Sequence, residues 1–186
     1  MNNKLIKNAF LCNIIFIILT ATLFHFLFDI FNKPIFLAAF LPVNESIFEH
    51  TKLCFYPTII IWIFSYYYLN KKASVNMSKW IISMTTSILV NICFTIALYY
   101  IGSAGFEIKN LIYDISTLII GTIFGQIIAC HVYIHIKNEN KLVAYSYIIL
   151  LLLILFSTFF TYYPLKKPFF LDTSTNKYGI NYIINP

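Results

Sequence analysis

The sequence contains no arginine, and only 11% of its 186 residues are charged. A soluble domain ordinarily carries about 25% charged residues, so a soluble globular protein is excluded. The same scarcity, set against 60% hydrophobic and 19% aromatic residues, excludes a disordered chain, which lacks the apolar content to collapse. Polar stretches are short as well: the longest connection surrounds Asn70–Ser78 and leaves no room for a soluble domain. There are four cysteines, Cys12, Cys54, Cys93 and Cys130, with no C-x-x-C spacing among them. Neither a redox motif nor a zinc knuckle is supported, and packed or lipid-facing apolar cysteine is expected. No internal repeat or low-complexity linker divides the chain, which reads as one integral membrane domain.

The mean hydropathy is +0.78, and the apolar residues come in long runs. A spanning helix needs about 20 mostly apolar residues to cross a ~30 Å hydrocarbon core. Five runs meet that test: 10–30, 53–69, 80–101, 111–135 and 142–163. The fold class expected is therefore all-α, a polytopic transmembrane bundle of about five helices. Between the first two runs, Pro34–Val43 is apolar but short and holds two prolines; it reads as a re-entrant or interfacial segment. Lys4 and Lys7 before the first run imitate a signal peptide, but no small-x-small cleavage site follows, so an uncleaved anchor is expected.

Lysines in short loops set orientation. With the N-terminus inside, Lys4, Lys7, Lys71, Lys72, Lys79, Lys137 and Lys141 are cytoplasmic, against Lys33, Lys52 and Lys109 in the outer loops. Six of the seven acids, Asp29, Glu45, Glu49, Glu107, Asp114 and Asp172, fall on the outer side. The predicted topology is a multi-pass cell-membrane protein, N-terminus cytoplasmic, with the tail 164–186 outside. The lipid bilayer is its expected partner; the basic pI of about 9.1 comes from membrane flanks and gives no ground for nucleic-acid binding.

Ionisable residues within or beside spanning segments are costly and point to function. The first helix ends with Thr22, His25 and Asp29 on one face. The second begins with Asn44, Glu45, Ser46, Glu49, His50 and Lys52; at helical spacing Glu45 and Glu49 share a face, as do Ser46 and His50. Asp114 enters the fourth helix at the same level. Two histidines and several carboxylates have the ligand types for zinc or another divalent metal, with His25, Glu45 and His50 as the metal-ligand candidates and His50 and Glu49 as the catalytic ones. The plainer role of Ser46-x-x-Glu49 is a capping box that starts the helix, and His25 with Asp29 reads equally well as a local pair fixing the first loop.

The third run offers Ser83, Ser87, Asn91 and Thr95 at four-residue spacing, and the fourth offers Thr117, Gly121, Gly125 and Ala129. Such stripes let helix backbones approach closely in a bilayer. They serve packing within the chain, or a homo-oligomer or membrane partner through the Gly121/Gly125 face. Alternatively they line a polar path from the outer cluster past Asn91 to Gln126. The outer tail, turn-rich and aromatic, is placed to fold over the cluster as a lid.

Ser46-x-x-x-His50 with His131-x-x-x-His135 resembles the motif set of the membrane hydrolase superfamily containing alkaline ceramidases, which builds a three-histidine zinc site. Topology opposes the likeness, because His50 and the later pair fall at opposite ends of their helices, and that superfamily has seven helices. The run Pro42-Val43-Asn44-Glu45-Ser46-x-x-Glu49-His50-x-Lys52 resembles a different family, small integral membrane proteins of Gram-positive bacteria whose function is unknown. Phe170-x-Asp172, Tyr178-Gly179-Ile180 and Gly125-Gln126 are similar to the same family, across nearly the whole chain. That resemblance implies no activity. Three functions stay open: a metal-dependent membrane enzyme acting on a lipid or envelope substrate, a small transporter using Asp114 and Asn91 as a cation or proton relay, and a structural or partner-binding subunit.

Overall fold

The computed structural model describes residues 3–108, 110–137 and 139–180. Lys109 and the tail residues 181–186, both assigned above to the outer side, lie outside the described residues. Five long helices carry the fold: α1 (Asn3–Ile30), α2 (Ile47–Asn70), α3 (Met77–Tyr100), α4 (Leu111–His135) and α5 (Glu139–Tyr162). Short turns of 3₁₀ helix at Ile35–Ala39 and Pro168–Phe170 and a π turn at Ile101–Gly105 complete it.

Local chemistry sets several boundaries. Ser46 Oγ accepts from the Glu49 amide at 3.3 Å, Asn76 Oδ1 from Lys79 at 3.0 Å, and Asn110 Oδ1 from Ile112 at 2.8 Å. Each satisfies an amide that a helix start leaves without a partner. At the far end of α1, Asn32 and Lys33 adopt φ of 61° and 56°, which reverses the chain and returns Lys33 to Asp29 at 3.4 Å.

Helices α1, α4 and α5, and α3 with its π turn, are long and apolar enough to cross a membrane. Helix α2 has the length, at 24 residues, but Glu49, Lys52 and the run Tyr66-Tyr67-Tyr68 dilute its apolar character. It is also heavily enclosed: Glu49, Lys52, Thr58 and Trp62 are all buried, so protein rather than lipid surrounds its polar groups. By contrast α5 exposes Leu151, Leu152, Leu155 and Phe159, a surface that only lipid or another apolar partner covers. The segment before α2 likewise exposes Ile35, Phe36 and Phe40, as an interfacial stretch should.

Helices α3 and α4 form the most extensive pair. A Cβ on Gly121 would stand 2.5 Å from Asn91 Oδ1 and 2.8 Å from its carbonyl oxygen; one on Gly125 would meet the Ser87 carbonyl oxygen at 2.7 Å. The Gly121/Gly125 face is thus filled by α3 of the same chain, which leaves no surface there for a second copy or a membrane partner. Toward the N-terminal end of α1 the core is aromatic. Phe10 meets Trp62 and Trp80 edge-on at 5.0 and 5.6 Å, and Trp80 Nε1 donates to the Trp62 carbonyl at 3.1 Å.

Candidate functional site

Opposite the aromatic core, the end of α1, the start of α2 and the start of α4 enclose a cavity of about 260 Å³. His25 reaches it from α1, Glu45 and His50 from the entry to α2, and Asp114 from α4. Glu45 lies in a bend just before the Ser46 cap. Asn44 fixes that bend: its Oδ1 accepts from Ser46 N at 3.0 Å and its Nδ2 donates to the Gly179 carbonyl at 3.2 Å.

A single carboxylate faces both imidazoles. Glu45 Oε2 lies 3.2 Å from His50 Nε2, and Oε1 lies 3.7 Å from His25 Nε2. One donor atom from each of the three side chains can be chosen so that all lie within 4.8 Å of one another. The hydrogen bond from His50, aided by the charge of both imidazoles, holds the Glu45 carboxyl below its ordinary range against the opposing effect of partial burial. His25 Nδ1 is buried without a hydrogen-bond partner, a cost of about 1–3 kcal/mol that simple loop-fastening does not explain. Asp114 is electrostatically coupled to His50 and Glu45. Apolar walls from Ala21, Leu53, Ile115 and Leu118 continue the cavity away from this polar end, and Thr95, Tyr99 and Thr173 complete it.

Other residues expected in this cluster lie elsewhere. Glu49, expected as a base beside His50, turns away from the cavity into protein. Its Oε2 sits 2.7 Å from Lys52 Nζ and accepts from Val43 N at 3.0 Å, while Oε1 accepts from Thr161 Oγ1 at 2.9 Å. Lys52 also donates to the carbonyls of Ala38 and Leu41, at 2.6 and 3.1 Å. Glu49 and Lys52 therefore clamp the 34–43 segment and α5 onto α2. Asp29 pairs with Lys33 on the surface instead of with His25. Ser46 is a cap. Asn91 donates to Thr122 at 3.1 Å and accepts from Thr95 at 3.3 Å, and Gln126 donates to Ser87 at 2.6 Å; both tie α3 to α4 rather than line the cavity. His131 and His135 are at the other end of α4. Seventeen residues separate His131 from Asp114, about 26 Å along the helix, so no three-histidine zinc site forms with His50.

Thr161, Tyr99 and Thr173 escaped the sequence reading. A threonine or tyrosine in an apolar run carries no signal of its own, since a threonine hydroxyl can satisfy itself on its own helix, as Thr161 also does on Ser157. Thr173 belongs to the tail, which folds back over this end: its Oγ1 donates to the Glu45 carbonyl at 3.2 Å, and Phe170 packs on Phe48 with ring centroids 4.7 Å apart.

An all-helical bundle with this much apolar surface defines a multi-pass membrane protein. More particularly, the chain matches the model of the Family of unknown function (DUF6512) over residues 1–180 and belongs to that family. No match was found among curated proteins or among solved structures.

Proposed function

We propose that this protein is a membrane-embedded, metal-dependent enzyme whose divalent ion, zinc or a similar metal, is held by His25, Glu45 and His50. The supporting observation is the convergence of these three donor groups, within 4.8 Å of one another, at the polar end of an otherwise apolar cavity. Two histidines and one glutamate are a ligand set of catalytic zinc sites, where three protein ligands leave a position for substrate or water. A bound ion would supply Lewis acidity and an activated water. Asp114, which lines the same cavity, would take the proton from that water, and the apolar walls suit the chain of a lipid or lipid-linked envelope substrate. By the lysine count this end faces outward, with the N-terminus inside.

The relay reading has less support, because Asn91 and Gln126 are engaged in joining α3 to α4. The test is the metal content of detergent-purified protein beside a His25→Ala/His50→Ala variant. Near-stoichiometric metal in the parent and its loss in the folded variant are expected. A well-folded parent that takes up no zinc or manganese when these are supplied overturns the proposal.

A further inference from the structure

A second cavity, about 430 Å³, lies between α1 and α4 at the opposite end of the bundle. It is an open groove. Phe10 and Ile14 form part of its wall, and Leu11 and Ile127, both about half exposed or more, form rims that face lipid. Lys7, His131 and His135 stand at its mouth, all three exposed. No carboxylate lines it among the described residues. The one acid assigned to this end, Glu139, is engaged by Lys79 at 3.6 Å and by Asn76 at 2.9 Å.

The groove therefore has one cationic end and an apolar body, the two halves of an anionic lipid. His131 and His135 stack with centroids 4.1 Å apart, and His135 Nδ1 faces the His131 carbonyl oxygen at 2.9 Å. With Nδ1–H donating there, the other ring nitrogen of His135 is left for a ligand; when it too carries a proton the ring is a cation, the form a phosphate favours. Lys7 adds a permanent charge. Basic pockets between spanning helices on the lysine-rich side of a membrane bind acidic lipid head groups, and the lysine count assigns this end to that side.

We infer that the α1–α4 groove is a binding site for an anionic phospholipid, its phosphate held by Lys7, His131 and His135 and one acyl chain lying along Leu11, Ile14 and Ile127. This site is separate from the cavity at His25, Glu45 and His50 and does not depend on metal there.

The two tryptophans provide a reporter. Trp62 and Trp80 are 0% and 2% exposed, shut off from bulk lipid, yet both pack on Phe10, which lines the groove. The protein is reconstituted in phosphatidylcholine vesicles with increasing fractions of brominated phosphatidylglycerol or brominated phosphatidylcholine. Tryptophan quenching is expected at a roughly fivefold or more lower fraction of the anionic lipid, the scale of one basic contact near a membrane surface. The preference should vanish in a Lys7→Gln/His131→Gln/His135→Gln variant, checked for retained helix content, and persist in Lys7→Arg. Identical quenching curves for the two lipids, or an undiminished preference in the triple variant, overturn the inference.

Discussion

The carboxylate of Glu49 sits 2.7 Å from the ammonium of Lys52, with the two side chains 2% and 1% exposed. An ion pair this enclosed is a poor place for proton transfer with substrate but a strong local fastening, because its partners lie on three parts of the chain. Removing one member leaves the other charged and uncompensated, which costs about 3–5 kcal/mol. Glu49→Gln and Lys52→Met should each lower Tm markedly in detergent. The double variant Glu49→Leu/Lys52→Met should recover part of the loss. It should not recover all of it, because the carbonyls of Ala38 and Leu41 and the amide of Val43 would keep no partner. Two single variants with wild-type Tm would show that the clamp does not form.

One carboxylate gathers three side-chain and amide donors in the tail turn. Asp172 Oδ1 accepts from Ser174 N at 2.9 Å and Ser174 Oγ at 2.7 Å, and Oδ2 accepts from Thr175 Oγ1 at 2.7 Å. Hydrogen bonds to a charged group are worth about 1.5–3 kcal/mol, so Asp172→Ala should raise the open population of this segment roughly tenfold or more. Trypsin cleavage at Lys177 should accelerate by a similar factor while the global Tm moves little, since local opening governs such cleavage. Unchanged cleavage would mean that the backbone bonds Asp172 N to Lys177 O and Asn176 N to Asp172 O, with the contacts to Asn44, Glu45 and Phe48, hold the segment without the carboxylate.

The helices were legible because long apolar runs dominate everything else in this chain, and His25, Glu45 and His50 were legible as residue types suited to one metal. The clearest miss concerns where α2 begins, because a shared face holds only for residues inside one helix. Glu45 and Glu49 would align if α2 included both, but the Ser46 cap starts the helix at Ile47. That leaves Glu45 in the bend before the helix, facing the histidines, and sends Glu49 the other way. Asp29 does share α1 with His25, but the left-handed Asn32 and Lys33 bring a lysine back to it. Which partner fills the Gly121/Gly125 face is a long-range matter, and the complementary stripe on α3 shows its role only once the helices are paired.

That pairing makes a sharp prediction about glycine. At Gly121 and Gly125 an added Cβ meets backbone oxygens of α3 at 2.8 and 2.7 Å, and backbone cannot rotate away as a side-chain end can. Gly121→Ala and Gly125→Ala should each cost about 1–3 kcal/mol, the range of overpacking in a tight core. Gly105→Ala has nothing within 4 Å of the new methyl and serves as the control, with Tm essentially unchanged. Equal Tm for all three would mean that α3 and α4 are further apart than these distances allow.

Glu45 links the candidate site to pH. Its carboxyl is held below the ordinary value of 4.5, first by the hydrogen bond from His50. A folded-state value below the unfolded one means that the ionised carboxylate stabilises the fold fully above about pH 4.5. That stabilisation fades as pH falls through the depressed value. The Tm difference between the parent and Glu45→Gln should therefore be present at neutral pH, persist below the ordinary carboxylate midpoint and disappear in stronger acid. Its size should be modest, since the side chain is 42% exposed and solvent screens the pair. His50→Ala removes the principal cause, so in that background the difference should begin to fade at higher pH. Metal uptake gives the matching readout: since Glu45 stays ionised through mild acid, its protonation should not limit binding there, and Glu45→Gln should weaken binding at every pH above the depressed value. A Glu45→Gln effect on Tm that does not change down to strong acid would show that the carboxylate is not what holds the two imidazoles together.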